Sequence, residues 1–465
     1  MAKPLDGPFL KKVWERLRDS SVPVVAESDY KARAVIASEL NAQIEQHIFL
    51  PSTIHGYSGI QKGNGVTRFL PILSSRDMGV YYYLCFTLAP KILIRRKGIF
   101  GAWYRQPEFS KADEESASSF VQAYTGEGFF QYWWLKEWKK FNDLIEALIA
   151  DTTVGRYVAS TDIANFYDSI EVPRLISEIR KKAPEETEVI EALGAFLASW
   201  NRKHMGYMPS NKGIPQEILS DASRVLSHFY LQKFDASFTQ YCASNNLTYI
   251  RWADDFLIFG GSKPKLESAV HVASRLLRDL GLNLNASKTR FMSKSELGEY
   301  RCLDMLGAIS SQKPKKIETE LVRLRKLHGA GKKLRIDTVF RAMIGYVHKN
   351  KSARTIANRA FLYDMARENR DLLHSLNHTQ MLNYIEIMDD PLSAFTKLRA
   401  DICKAEFGGP KSAYLHMMRK YRPRLAAIGM TKAMAIKAID QIDKASMDSE
   451  VIRDFCIPAV REVYR

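Results

Sequence analysis

Three aspartates are the residues whose types and spacing most suggest chemistry. Asp254 and Asp255 are adjacent in Tyr249–Gly261, YIRWADDFLIFGG, between two apolar, aromatic, β-prone runs. Such runs pair as a hairpin, with the two acids at or near its turn. Asp162 ends a β-prone stretch in Tyr157–Ile170, YVASTDIANFYDSI, 92 residues upstream of Asp254. Each alone has a plain structural reading. One is an Asp-containing hairpin turn; the other is a helix-capping aspartate, with Asp168 an equal candidate for the cap. Together, a strand-end carboxylate and a hairpin-tip carboxylate converge if their strands are neighbours. Converging carboxylates repel unless they share divalent cations, and Mg²⁺ prefers hard oxygen ligands. Two metals held this way clamp the attacking hydroxyl and leaving pyrophosphate of nucleotidyl transfer.

The elements that must position these acids are legible around them. Gly213–Leu231, GIPQEILSDASRVLSHFYL, reads as a glycine-containing loop followed by a helix headed by Gln216. Its apolar positions Ile218, Leu219, Ala222, Val225, Leu226 and Phe229 face a core. Leu266 to Leu280 predicts an amphipathic helix capped by Gly281, with Lys288 after it. Upstream, the first 50 residues read as mostly helical. Thr67–Leu73 and Gly79–Leu88 read as strands, the latter from the β-formers VYYYLCFTL. Residues 98–135 form an aromatic, irregular insertion, and residues 135–150 an amphipathic helix. From Ile317 onward the chain reads as nearly all helical, with turns at Gly329–Gly331, near Asp389–Pro391, at Gly408–Pro410 and near Pro423.

The 465 residues carry 68 Lys and Arg against 52 Asp and Glu, a net charge of +16. That balance favours a polyanion partner. Most of it is local: residues 313–370 hold 16 Lys and Arg against 5 acids, an excess of +11. Ordinary solvated faces mix both signs more evenly. The five cysteines are dispersed without a C-x-x-C pair, which disfavours a cysteine zinc site and fits a reducing compartment. No run of 18 apolar residues occurs, and the charged beginning of the chain lacks a signal-peptide core, so the expectation is a soluble intracellular protein without a membrane partner.

The motifs resemble those of reverse transcriptases of the retron and group II intron type. D-I-x-x-F-Y-D-S-I at Asp162 resembles their first palm motif, and W-A-D-D stands where they carry Y-A-D-D. GIPQ at Gly213–Gln216, LGLNLNASKTRFM at Leu280–Met292 and a small turn at Leu306-Gly307 follow in the family's order, across residues 157–310. The resemblance implies an α+β right-hand polymerase with an antiparallel-sheet palm and an all-helical C-terminal region. Its parts are fingers at 1–150 (with the insertion at 98–135), palm at 151–312, basic helical thumb at 313–370 and a helical extension at 371–465. It implies two Mg²⁺ per site, or Mn²⁺, held by Asp162, Asp254 and Asp255 and at Ile163. Tyr167, with Phe166, matches the aromatic under the incoming sugar, where a bulky ring favours dNTPs. Gln216 and Lys288 would meet the nucleotide or its triphosphate; Arg68 and Arg76, with Lys62, lie where the family covers the phosphates. Glu217 departs from the family's usual glycine. Lys313, Lys315, Lys316, Arg323, Arg325, Lys326, Lys332 and Lys333 would lie along a primer–template duplex.

The insertion, the W-A-D-D hairpin and the helical extension look most like the abortive-infection and defence-associated bacterial reverse transcriptases, the unknown-group class. This implies a cytoplasmic bacterial enzyme making DNA in anti-phage defence, RNA-directed or untemplated. The partners would be an RNA template, the DNA product duplex and dNTPs, with a dedicated non-coding RNA and a homo-oligomer as further options. Protein priming would need a reachable hydroxyl such as that of Tyr464 on a mobile tail. Other readings are a retron-like enzyme copying a dedicated RNA, an idle palm serving as an RNA scaffold, and a palm-fold nucleotide cyclase. The last would carry G-G-D-E-F where this chain has A-D-D-F, and would lack a basic thumb.

Overall fold

The computed structural model describes residues 4–63, 66–101, 133–201 and 213–465. In chain order the elements are α1 (Gly7–Arg18), α2 (Glu27–Glu45), β1 (Tyr57–Gly63), β2 (Val66–Pro71), α3 (Ser75–Ile92), β3 (Ile99–Phe100) and α4 (Trp133–Ala150). Then come β4 (Tyr157–Asp162), α5 (Phe166–Ser169), α6 (Val172–Lys182), α7 (Thr187–Ser199), α8 (Asp221–Ser244), β5 (Thr248–Trp252), β6 (Asp255–Gly260), α9 (Lys263–Arg278) and β7 (Arg290–Ser293). The rest is helical: α10 (Lys294–Tyr300), α11 (Leu303–Ser310), α12 (Pro314–Gly329), α13 (Ile336–Lys349), α14 (Ile356–Glu368), α15 (Asp371–His374), α16 (His378–Ile387), α17 (Pro391–Cys403), α18 (Gly408–Lys420), α19 (Arg422–Ala427), α20 (Lys432–Lys444) and α21 (Ile457–Tyr464).

The chain divides into two compact units. The first comprises Met1–Leu17, Val24–His55 and Pro71–Leu297; the second comprises Arg18–Pro23, Gly56–Leu70 and Gly298–Arg465. A five-stranded sheet, ordered β3-β5-β6-β4-β7, organises the first unit. Its pairs are antiparallel except β3 with β5. After Asp255, β6 is buried throughout, as its central place requires. Helix α9 packs on β4 and β6 through Leu266, Ala269, Ala273 and Leu277, all buried and spaced as one helical stripe. It ends as its sequence predicts, with Gly281 in the left-handed region at φ 74°.

One predicted strand is a helix. The run at Gly79–Leu88 belongs to α3, buried on nearly every side against α7 and α8. Its β-formers lack strand alternation, and an apolar run buried all round suits a core helix equally well. The decisive signal precedes it. Ser74 is the N-cap and accepts from the Asp77 amide at 3.1 Å, while its hydroxyl donates to the Asp77 carboxylate at 2.7 Å. The Tyr81 ring then stacks on Phe196 of α7, centroids 4.6 Å apart.

Three other expectations change. Leu306-Gly307 lies inside α11, where a helix buries Met305 and Ala308, and is not a turn. Gly408–Pro410 opens α18 instead of breaking the chain. Tyr464 is on no mobile tail: it ends α21, is buried, and its hydroxyl donates to the Met418 carbonyl at 3.0 Å. Burial pushes that phenol up to about 12, against the pull of Arg422. Of the insertion read at 98–135, residues 102–132 lie outside the described residues. Among the described residues no helix is long and apolar enough to cross a membrane.

The capping reading makes a prediction. Ser74→Ala should lower stability by about 1 kcal/mol through loss of the N-cap. Urea denaturation followed by circular dichroism measures it, and an unchanged midpoint would refute the cap's role.

Candidate active site

Strands β4 and β6 bring the predicted acids to one end of the sheet. Asp162 is directly opposite Asp255, and Trp252 opposite Asp255 across the hairpin, so Ala253 and Asp254 form its two-residue turn. Directly opposed residues of an antiparallel pair share a sheet face. The ladder is locked further by the Ile163 amide donating to the Asp254 carbonyl at 3.2 Å and the Asn285 amide to the Asp162 carbonyl at 2.9 Å. The Ile163 side chain is buried, so its backbone carbonyl is what it can offer a cation.

Lys288 closes the cluster. It sits on a short 3₁₀ turn, Ala286–Lys288, and its ammonium is hydrogen-bonded to Asp162 Oδ2. Burial alone would lower this ammonium. The bonded Asp162 carboxylate, then Asp255 and Asp254, carry it above the ordinary lysine range instead. All three acids therefore act on one cation. Next to Lys288, the Thr289 and Thr161 hydroxyls share a hydrogen bond of 2.7 Å, joining this segment to β4.

The donor set suits a hard divalent cation. Asp162 Oδ1 is buried without a hydrogen-bond partner, an oxygen left open beside Asp255. Among the described residues, however, no group of three or more His, Cys, Asp or Glu is gathered closely enough to hold a metal ion. The three aspartates converge on Lys288 without forming a ready-made ligand cage. The physical reason is the hairpin: Asp255 is in the ladder, while Asp254 is in the turn.

Tyr167 lies in α5, five residues beyond Asp162, and is half-buried. Burial pushes its phenol up to about 12; Arg224 pulls down, Asp254 and Glu217 push up, and Ser227 hydrogen-bonds it. Tyr167 is thus within electrostatic reach of the hairpin acid. Phe166 turns into the core instead, its ring 5.6 Å from that of Tyr167. Gly213 is required by close approach: a Cβ there would lie 2.0 Å from the Tyr167 carbonyl oxygen.

The helix expected from Gln216 begins later, at Asp221, after Ser220 in the left-handed region at φ 57°. Gln216 is half-buried in the preceding loop. The cause is Glu217. Its side chain is fully buried, beneath the Tyr82 hydroxyl at 3.4 Å, with Oε2 unpartnered. The acid that replaces glycine therefore points into the protein, and the loop is set by that burial. Asp221 is buried too, and meets Arg16 at 3.0 Å.

The outlying candidates scatter. Arg76 lies in the first turn of α3 and pairs with Glu39 at 3.1 Å. Arg68 is on β2, in the second unit. The described structure places Lys313, Lys315, Lys316, Arg323, Arg325 and Lys326 on or beside α12, with Lys332 and Lys333 just beyond. Arg323 meets Asp304 at 2.8 Å, Glu320 at 3.2 Å and Glu299 at 3.5 Å; Arg325 meets Asp364 at 3.2 Å; Lys332 meets Glu299 at 2.7 Å. Such surface pairs are weak and exchange readily for other anions. Lys313, Lys315, Lys316, Lys326 and Lys333 are exposed.

Residues 107–316 match the family described as reverse transcriptase (RNA-dependent DNA polymerase). This segment of the chain is therefore similar to a reverse transcriptase domain. It is also 24% identical over 158 residues to the Retron Ec83 reverse transcriptase of Escherichia coli, an alignment covering 33% of this chain and 48% of that protein. The chain thus spans about half the length of the curated relative it matches. The matched segment contains all three aspartates, Tyr167, Gln216 and Lys288, and ends at the start of α12.

The site's buried acid predicts a pH dependence. Burial first, then the charge of Asp221, raises the Glu217 carboxyl from 4.5 to about 7. Its native state holds the proton more tightly than the unfolded chain does. The resulting stability is present below about 4.5 and is lost as pH rises through about 7. At 1.36 kcal/mol per unit the loss is about 3 kcal/mol. Glu217→Gln should therefore melt close to wild type near pH 4.5 and increasingly above it up to pH 7. Thermal denaturation from pH 4.5 to 8 checks this; a pH-independent difference would sink it.

Proposed function

We propose that the protein is an RNA-directed DNA polymerase. The observation that carries this is the convergence of Asp162, Asp254 and Asp255 on one cation inside a reverse transcriptase domain. In this reading the sheet unit is the palm with its fingers, and the basic helices from α12 onward are the thumb.

Two Mg²⁺ ions, when bound, would supply the charge that activates the primer hydroxyl and stabilises the leaving pyrophosphate. The chain's own residues do the rest. Asp162, Asp254 and Asp255 present the oxygens, with the Ile163 carbonyl beside them. Lys288 moves from Asp162 to the triphosphate as the nucleotide arrives, and can give a proton to the pyrophosphate. Tyr167 lies under the sugar and excludes a 2′-hydroxyl; Gln216 meets the base pair. The lysines of α12 grip duplex phosphates without reading sequence, an affinity that falls steeply with salt.

The biological role in this reading is anti-phage defence in the bacterial cytoplasm, with an RNA template and dNTPs as substrates and a homo-oligomer as one state of assembly. The similarity to a retron enzyme favours a second reading, in which the template is a dedicated non-coding RNA. Sequencing the nucleic acid that co-purifies from cells separates the two.

The test of the activity is dNTP incorporation on a primed RNA template with Mg²⁺. Asp254→Asn and Asp162→Asn should each lower kcat by at least about 10³-fold, the scale of losing charge stabilisation in the transition state. Mutants that incorporate like wild type would overturn the site. Tyr167→Val should leave dNTP use largely intact and raise ribonucleotide incorporation, read as the ratio of the two kcat/KM values.

A further inference from the structure

A charged pair lies behind the aspartate hairpin. Arg251 on β5 and Asp235 on α8 are both fully buried. Arg251 Nε donates to Asp235 Oδ1 at 2.9 Å, and its Nη2 donates to Oδ2. The Tyr249 hydroxyl donates to the same Oδ1 at 2.9 Å. The remaining nitrogen, Nη1, donates to the Ala253 carbonyl at 2.6 Å.

Ala253 is the first turn residue of the hairpin, with φ 51°, and Asp254 is the second. A residue with a Cβ enters the left-handed region only when its surroundings compel it. Here they do so from two sides. The Arg251 guanidinium holds the Ala253 carbonyl, and the Phe100 carbonyl of β3 accepts from the Ala253 amide at 3.3 Å.

The tyrosine bonded to this pair is set among aromatic rings. Tyr249 lies 4.9 Å from Phe238, 5.8 Å from Phe256 and 6.1 Å from Phe234, centroid to centroid. Such a setting strengthens hydrogen bonds and punishes any left unmade. For stability alone, apolar side chains would serve as well as a buried ion pair. What they would not supply is a third, directed donor for a turn carbonyl. A guanidinium can satisfy a carboxylate with one edge and still aim another N–H elsewhere; a lysine ammonium is a single point.

We infer that Arg251 is a positioning residue: anchored on α8 through Asp235, it holds the Ala253 carbonyl and thereby sets Asp254 and Asp255 against Asp162. The catalytic consequence rests on the polymerase reading; the mechanical part does not.

The test uses the full chain and two variants, Arg251→Lys and the apolar triple Tyr249→Phe/Asp235→Leu/Arg251→Met. Hydrogen exchange at residues 253–256 and in α8 is measured beside kcat and KM for one dNTP. Amides at 253–256 should exchange at least about tenfold faster, with α8 unchanged, as a local opening does. The kcat should fall about 10²-fold with KM nearly constant, the scale of a misplacement of about 1 Å. Wild-type exchange at 253–256 in a folded variant overturns the inference, and so does a wild-type kcat beside faster exchange. Should the triple variant fail to fold, Arg251→Lys, which keeps the buried charge, decides alone. A wild-type protein that incorporates no nucleotide overturns the polymerase reading, and the exchange result then settles the positioning by itself.

Discussion

Like charges brought to one end of a sheet must be neutralised, and the first unit is organised by that constraint. Strand pairing alone puts Asp162 opposite Asp255, with Asp254 one residue away in the turn. Mutual repulsion among three acids at this spacing would splay the hairpin from β4. Lys288 answers it, held on its own short turn and tied to β4 through Thr289 and Thr161. The arrangement therefore keeps the acids together with a cation that the chain itself supplies. In the polymerase reading proposed above, that cation is one a substrate's phosphates would draw away.

The constraint explains why so much of the surrounding structure is rigid. The ladder of β4 with β6 runs six residues without interruption, and β6 is buried from Phe256 to Gly260. Helix α9 covers both strands with a narrow stripe of Leu and Ala, which lets it approach closely. Gly213 permits a second close approach, of the loop carrying Gln216 to the backbone of Tyr167. None of these residues belongs to the candidate site. Each removes a degree of freedom from a residue that does.

What was legible in the sequence follows the same division. The hairpin, β4, α9 and its glycine cap were readable because each has a local signature: alternation, a polar turn, a periodic stripe, a left-handed stop. The three aspartates and Lys288 were readable from residue type and order along the chain. The run at Gly79–Leu88 was misread because its burial comes from α7 and α8, distant in sequence, while its true marker was the modest Ser74–Asp77 cap. The start of α8 was misplaced because Glu217 turns inward and Ser220 takes a left-handed conformation, neither of which residue type announces. Arg251 was passed over for a similar reason. An arginine in a strand looks like surface charge until its partner, sixteen residues earlier on a helix, is known to be beneath it.

Two buried acids of this unit show how partnering decides between stiffness and response. Both oxygens of Asp235 accept hydrogen bonds, from Arg251 and Tyr249, so removing its charge would leave a guanidinium stranded in the interior. Glu217 has a distant tyrosine hydroxyl on one oxygen and nothing on the other, and shares its surroundings with a second acid, Asp221. An acid so placed meets burial by holding its proton. The first pairing fixes the hairpin that carries Asp254; the second leaves the loop that carries Gln216 resting on a group that changes charge near neutrality. The glutamate of that loop therefore turns its carboxyl inward, where burial strengthens its hold on a proton.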